Sequence, residues 1–220
     1  MMLNPRQYLS WSQLDLFERS PERYKEVYIY GRQMPINRGM VLGKQMTDGL
    51  ESGEMTGDPI LDLVMERIPK FEIRDKILED PRGEEVECQG KTYRVPVLKD
   101  GKIRIPILAK PDSMKAEMTG FKEYKTGQER WTAAKVRNSG QMRFYGTAMY
   151  LVSGRIPNEN ELVHALTAKQ NPEDPQSRVI PTGDIYRYPF PLAMSDVLNM
   201  MIRMKNAWRG INEMVKEELL

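Results

Sequence analysis

Cysteine is almost absent from this 220-residue sequence, which contains only Cys88. One cysteine cannot form a disulfide within the chain, and it cannot provide the four thiolates of a structural zinc site or an iron–sulfur cluster. The N-terminal residues 1–13 also lack the apolar core of a signal peptide. Both absences favour a protein of the reducing cytoplasm.

Long apolar runs and a strong net charge are missing too. No run approaches the roughly 18–20 apolar residues of a membrane span, so we expect no membrane segment. The net charge is only +2, so any binding of nucleic acid must depend on a local basic patch. The sequence has no Gly-x-x-x-x-Gly-Lys-Ser/Thr loop, which excludes the phosphate-binding loop of a motor enzyme. Its 40% hydrophobic and 29% charged residues are typical of a soluble globular protein, and we predict a single domain over 1–220.

The most informative stretch is 103–127, which reads IRIPILAKPDSMKAEMTGFKEYKTG. Its pattern predicts strands at 103–109 and 120–126, paired as a hairpin. Side chains two apart on a strand point to the same face, so Glu123 and Lys125 should project together.

Asp112, at the end of the first predicted strand, should then lie beside Glu123 and Lys125. Carboxylate oxygens are preferred ligands of Mg²⁺ and Mn²⁺, and an adjacent ammonium can orient water or stabilise charge on a phosphate. Pro111-Asp112, followed after ten residues by Glu123-Tyr124-Lys125, resembles the signature of the PD-(D/E)XK nuclease superfamily. The alternative interpretation is an amphipathic hairpin with a solvated, charged face.

Residues before this stretch resemble the RecB-like, lambda-exonuclease-like branch of the superfamily. Ser10 and Ser20 should cap two successive helices, as in the N-terminal segment of that branch. Gly43 and Glu51 match its first motif, on a predicted helix. Thr47, however, occupies the position of a histidine that is a metal ligand in many relatives.

Gln141 and Tyr145 lie four residues apart on a helix predicted at 139–152. They resemble the Gln-x-x-x-Tyr motif of the same branch, in which the glutamine reaches back to the active site. The resemblance implies the catalytic residues Asp112, Glu123, Lys125 and Gln141. It implies as metal ligands Asp112, Glu123, the backbone carbonyl of Tyr124, and Glu51. It implies as nucleic-acid contacts Arg130, Lys135, Arg137, Arg143 and Tyr145.

The other segments complete the predicted fold. They are a helical insertion at about 53–80 with a short helix at 71–78, a hairpin at 86–98, strands at 161–169 and 179–188, and a helix at about 195–218. Ser195 should cap that last helix, whose apolar stripe predicts a core or docking face. The fold class is α/β with α+β character. We expect a central mixed sheet with an antiparallel hairpin meander, flanked by helices in a restriction-endonuclease-like core.

The function implied by the resemblance is a DNA nuclease that uses one or two Mg²⁺ or Mn²⁺ ions and no iron–sulfur cluster. An exonuclease or end-processing enzyme in recombination, repair or phage DNA metabolism is expected, in the cytoplasm of a bacterial, archaeal or phage-infected cell. Its expected partners are DNA, bound largely without sequence preference, and a helicase, recombinase or single-strand-annealing protein, with self-association as a further expectation.

Two other classes of function stay open at this point. The first is a degenerate nuclease fold that serves as a nucleic-acid-binding or assembly subunit. Thr47 in the histidine position favours it, and the intact Asp112, Glu123 and Lys125 oppose it. The second is an interaction subunit that uses the methionine-rich C-terminal helix to hold a partner.

Overall fold

The computed structural model describes residues 6–33, 38–74, 76–174 and 177–219. Its α-helices are α1 (Trp11–Arg19), α2 (Pro21–Tyr24, continued by a π-helix at Lys25–Ile29), α3 (Arg38–Ser52), α4 (Pro59–Arg67), α5 (Ala133–Arg137), α6 (Gly140–Ser153) and α7 (Met194–Leu219). Its strands are β1 (Leu9–Ser10), β2 (Ile73–Arg74), β3 (Glu84–Cys88), β4 (Lys91–Val95), β5 (Val97–Asp100), β6 (Ile103–Leu108), β7 (Ser113–Met114), β8 (Phe121–Gly127), β9 (Glu161–Lys169) and β10 (Val179–Pro189).

A five-stranded mixed sheet forms the centre of the structure, in the order β10-β9-β8-β7-β2. Strands β8 and β9 are parallel, with Lys125 opposite His164, and the other neighbours are antiparallel. Helices cover this sheet on both faces. The predicted α/β class with a central mixed sheet is therefore confirmed.

Two hydrophobic clusters lie against the central sheet. On one face, α3 and α4 pack on β8 and β9, where Tyr124 and Val163 are buried. The other cluster joins α1, α6 and α7 to Phe121 of β8. The apolar stripe of α7 is buried in this cluster, so the interpretation of that stripe as a core face is confirmed. Because side chains alternate along β8, Glu123 and Lys125 share the face of Phe121.

The strands predicted at 103–109 and 120–126 are present as β6 and β8, but their predicted pairing as a hairpin is wrong. Strand β6 belongs to a separate sheet, where β5 and β1 occupy both of its edges. The hairpin partner of β8 is instead the two-residue strand β7, with Ser113 opposite Lys122. The chain leaves β6 at Leu108 and crosses to the central sheet through Pro111, so Asp112 still arrives beside β8.

The predicted helical insertion at 53–80 is helical only in its first half, where Asp58 caps α4 by accepting from the Ile60 and Leu61 amides. The helix predicted at 71–78 is wrong. The Phe71 amide donates to the Ser113 hydroxyl at 2.6 Å, and β2 pairs with β7 as the sheet edge. Pairing with the sheet therefore overrides local helix propensity here.

The predicted hairpin at 86–98 is confirmed by the antiparallel pair β3 and β4, but its second strand ends at Val95, and Val97 begins β5, which pairs with β6. The prediction that Ser195 caps the C-terminal helix is wrong. Helix α7 begins at Met194, and the Asp196 carboxylate accepts from the Ala193 amide at 3.0 Å instead. Across the described residues, no helix is both long enough and apolar enough to cross a membrane.

Candidate active site

Strand β8 places Glu123 and Lys125 side by side. The Glu123 side chain is only 4% exposed, and the Lys125 Nζ lies 2.6 Å from its Oε1 atom. A carboxylate at this depth needs a nearby cation, because burial strongly disfavours an isolated charge. The two side chains therefore lie on the same face of β8, as predicted, and form an ion pair there.

Asp112 reaches the same strand from the connection between β6 and β7. Its Oδ2 accepts a hydrogen bond from the Tyr124 amide at 2.6 Å. That amide is available because β7 is only two residues long and pairs with β8 no further than Lys122. The short strand thus leaves room for a carboxylate at the edge of the sheet, next to Glu123.

Helix α6 presents Gln141 to the same carboxylate. Ser139 caps the helix, so Gln141 stands in its first turn. The Gln141 Nε2 donates to Glu123 Oε1 at 2.7 Å and to the Tyr145 hydroxyl at 3.0 Å. The glutamine and tyrosine of the motif therefore meet Glu123 through one hydrogen-bonded chain.

The second oxygen of Glu123, Oε2, is buried and has no hydrogen-bond partner among the described residues. Buried polar atoms are nearly always paired, and an unpaired one costs about 1–3 kcal/mol, with more for a charged group. An oxygen-binding divalent cation would satisfy this atom. The donor set of Asp112, Glu123 and backbone carbonyls suits Mg²⁺ or Mn²⁺.

The charge state of Lys125 follows from two opposed effects. Burial lowers the pKa of its ammonium, but Glu123 and Asp112 outweigh burial and leave the pKa above its ordinary value. The side chain is therefore protonated at neutral pH. As an ammonium it can stabilise negative charge and orient a water molecule.

The first-motif residues Thr47 and Glu51 stand on α3. Glu51 is exposed, and its carboxylate lies 4.0 Å from the Lys110 ammonium. The Thr47 hydroxyl donates a hydrogen bond of 3.0 Å to the Gly43 carbonyl of the same helix. In the part of the chain that is described, no three His, Cys, Asp or Glu side chains are grouped closely enough to hold a metal ion. A site at Asp112 and Glu123 would therefore draw its remaining ligands from backbone oxygens and water.

The predicted nucleic-acid contacts divide into exposed and buried groups. Arg130 is exposed and lies over the Tyr186 ring, 4.0 Å from its centroid, and Lys135 and Arg137 are also exposed. Arg143, in contrast, pairs with Asp196 at 3.1 Å and links α6 to α7. Tyr145, also predicted as a contact, is buried at 8% exposure.

Sequence reasoning missed a cleft of about 690 Å³ beside Gln141. It opens between the N-terminal segment, the β3–β4 hairpin and α6, and its lining includes Trp11, Lys91 and Tyr93. These residues come from distant parts of the chain, so no local motif joins them. The lysine at the tip of a predicted hairpin was the single available signal.

A second cleft, of about 540 Å³, opens on the other side of the Lys125 side chain. Helix α3 forms one wall through Gly43 and Thr47, and the end of β8 forms the other. A Cβ atom at Gly43 would lie 3.1 Å from the Thr126 hydroxyl oxygen, so the glycine permits the helix to approach the strand. Lys125 itself lines this second cleft, whereas the first cleft is lined by Gln141, which binds Glu123.

Comparisons with known proteins give a match among solved structures. No family model matches the sequence, and no curated protein matches it. A solved structure described as "Putative exonuclease", from Eubacterium rectale, superposes with a TM-score of 0.52 and 11% identity over 96% of this chain and 82% of that chain. The fold is nuclease-like. A second structure, SSO0001, covers 90% of this chain and 75% of that chain at 16% identity, with a TM-score of 0.42 that does not by itself establish a common fold.

Proposed function

We propose that this chain is a metal-dependent deoxyribonuclease with a PD-(D/E)XK-type active site of the RecB-like branch. The observation that carries the proposal is the environment of Glu123. One carboxylate oxygen is held by Lys125 and Gln141, while the other is buried without a partner among the described residues. A purely structural carboxylate would have both oxygens satisfied.

The proposed ligands of a Mg²⁺ or Mn²⁺ ion are Asp112, Glu123 and the backbone carbonyl of Tyr124. When bound, such an ion supplies Lewis-acid polarisation of a phosphate and lowers the pKa of a bound water. Glu51, which is exposed and paired at a distance with Lys110, is proposed as an outer contact at most.

The protein's own groups account for positioning and charge. The Lys125 ammonium, whose pKa the neighbouring Glu123 and Asp112 raise in the free protein, stabilises negative charge that develops on the scissile phosphate. Gln141 fixes the rotamer of Glu123 through Oε1 and orients the attacking water by its amide oxygen. The Tyr124 amide holds Asp112 in place before substrate arrives, which reduces the reorganisation that catalysis requires.

DNA binding is proposed to depend on the exposed cations Arg130, Lys135 and Arg137. Contacts of this type go to phosphates, so binding should weaken steeply with salt and depend little on base sequence. An exonuclease or end-processing role in recombination, repair or phage DNA metabolism fits such a site, with a helicase, recombinase or annealing protein as partner.

A second candidate is a nucleic-acid-binding subunit on a degenerate nuclease fold. Two observations favour it: the Thr47 hydroxyl is committed to the Gly43 carbonyl, and the described residues offer no third acidic ligand beside Asp112 and Glu123. This alternative predicts DNA binding without cleavage.

Cleavage of end-labelled linear DNA decides between the two. Single- and double-stranded substrates are incubated with Mg²⁺ or Mn²⁺ and the wild-type protein, Glu123→Gln or Lys125→Ala. We expect each variant to lose at least about 100-fold in rate, the usual effect of removing one transition-state charge contact. Glu159→Gln, which removes an exposed carboxylate paired with Lys115, should retain full activity. Absence of cleavage with either metal on any substrate, together with retained DNA binding, would establish the binding subunit instead.

A further inference from the structure

The 690 Å³ cleft next to Glu123 has the features of a site for unpaired nucleotides. We infer that this cleft holds the single-stranded part of the substrate, with one base stacked on Tyr93 and the adjoining phosphates bound by Lys76 and Lys91. The inference rests on the proposed nuclease function and adds a substrate class and a binding subsite to it.

The position of the cleft links it to the chemistry. Gln141 and Tyr145 both line it, and the Gln141 amide is 2.7 Å from the Glu123 carboxylate. A strand in the cleft would therefore lie against the residues that fix the candidate catalytic carboxylate. Its volume is in the range of about 300–1,000 Å³ that is typical of ligand sites.

The β3–β4 hairpin forms part of the wall of the cleft. Gln89 and Gly90 both have positive φ values, +52° and +74°, which is the backbone of a tight two-residue turn between β3 and β4. Tyr93, on β4, lies opposite Val86 and packs on the small hydrophobic cluster of this hairpin. The ring is half-buried, and its hydroxyl has no hydrogen-bond partner among the described residues. Tyr93 is therefore an anchored aromatic surface that lines the cleft.

The charge of the cleft favours an anion. Four basic side chains line it, Arg6, Lys76, Lys91 and Lys110, together with two carboxylates, Glu51 and Glu79. Lys76 and Lys91 are exposed, and neither forms an ion pair with any residue that the structure describes. They are free to bind phosphates, whereas most basic residues elsewhere, such as Arg203 and Arg187, are paired with acids.

A half-buried tyrosine that lines the same cleft as two lysines selects for an unpaired strand. Bases in a duplex are stacked on their neighbours, so their faces are unavailable to a side chain, whereas a single strand can turn a base onto an aromatic ring. Duplex DNA would reach only the phosphate contacts on the rim of the cleft.

The test is equilibrium binding of a fluorescent oligo(dT) of about 12 nucleotides, a length that covers one such binding groove. Fluorescence anisotropy is measured in EDTA, so that no cleavage is involved. Tyr93→Ala should weaken binding roughly tenfold, the loss expected for one stacked base. Tyr93→Phe should keep affinity within about twofold, because stacking needs only the ring.

The charge contact is tested in the same assay. Lys91→Ala should reduce the slope of log affinity against log salt by about 0.7, the value for one phosphate contact on a single strand. Lys102→Ala, in the exposed turn between β5 and β6 and outside the cleft, is the matched control and should leave the slope unchanged. Thermal unfolding of each variant shows whether the fold is kept.

The outcomes separate this inference from the proposed function. Unchanged oligo(dT) affinity in folded Tyr93→Ala and Tyr93→Leu overturns the inference. A blunt duplex that competes for binding as well as unlabelled oligo(dT) also overturns it, even if the wild-type protein cleaves DNA. Loss of affinity in Tyr93→Ala and the expected slope change in Lys91→Ala support the inference even if no metal supports cleavage, in which case only the nuclease proposal fails.

Discussion

Divalent metal should stabilise the wild-type protein against heat, and Glu123→Gln should remove most of that effect. The reason is the unpaired Glu123 Oε2 atom, which is buried and has no hydrogen-bond partner among the described residues. A cation that binds there binds only the folded state, because the two carboxylates lie 11 residues apart in sequence and meet only after β7 and β8 have paired.

The size of the shift follows from mass action. A ligand at 100 times its dissociation constant stabilises the folded state by about 2.7 kcal/mol. For a chain of this length, each kcal/mol raises the unfolding midpoint by about 2–4 °C. Saturating Mg²⁺ or Mn²⁺ should therefore raise the midpoint by roughly 5–10 °C.

Thermal unfolding in EDTA, Mg²⁺ and Mn²⁺ measures the effect without any substrate. The comparison is made within each variant, since Glu123→Gln also changes the stability of the metal-free protein by removing the partner of Lys125. Glu159→Gln is the matched control, because it deletes an exposed carboxylate 50% accessible to solvent and outside the site. Its metal-induced shift should equal that of the wild type.

Two results would refute this reasoning. An equal shift in Glu123→Gln and wild type would show that the ions bind elsewhere on the surface. No shift in the wild type at millimolar metal would show that Lys125 alone neutralises Glu123. The carboxylate would then be part of a structural ion pair, as the degenerate-nuclease alternative requires.

Two further predictions concern stability and the first motif. Glu161 is buried between Lys122 and Arg187. The substitution Glu161→Gln should lower the free energy of unfolding, measured in urea, by roughly 3 kcal/mol, because it leaves Lys122 buried without its partner. Burial alone would raise the pKa of Glu161, but hydrogen bonds from Arg187 and Lys122 lower the pKa overall. The ionised Glu161 therefore stabilises the folded protein above about pH 4.3, the pKa of the unfolded chain, and this contribution is lost as pH falls through the folded pKa. Glu161→Gln should therefore flatten the acid limb of a stability–pH curve, and an unchanged limb would contradict this. Thr47→Val should change neither the metal-induced shift in unfolding midpoint nor the cleavage rate by more than about twofold, because the Thr47 hydroxyl donates to the Gly43 carbonyl within the helix. A tenfold loss would instead assign Thr47 to the site.

Local signals in the sequence predicted much of the fold. Asp58-Pro59 has the residue pattern of a helix start, and Asp58 accepts from two amides of α4. The predicted strand at 161–169 has the bounds of β9. The shared face of Glu123 and Lys125 required only the two-residue period of a strand, which holds whatever strand pairs with β8.

Long-range pairing was not predictable in the same way. Both edges of β6 are taken, one of them by β1 from the N-terminus, with Leu9 opposite Ile107. No local pattern shows that a two-residue N-terminal strand would occupy that edge. The helix predicted at 71–78 failed for a related reason, because its first amide is bound by Ser113 on the sheet. The domain prediction, 1–220, and the roles of the site residues stay predictions.

The two oxygens of Glu123 have different environments. This difference explains how Lys125 could bind Glu123 in the free protein and still contact the substrate during the reaction. Lys125 and Gln141 both bind Oε1, which leaves Oε2 free. A cation at Oε2 therefore need not displace the ammonium. An ammonium has three N–H donors, and Glu123 takes one of them, so two remain for a phosphate oxygen or a water. In the proposed nuclease, the contact that makes the buried carboxylate tolerable in the free protein also holds the positive charge at the position where the phosphate would react.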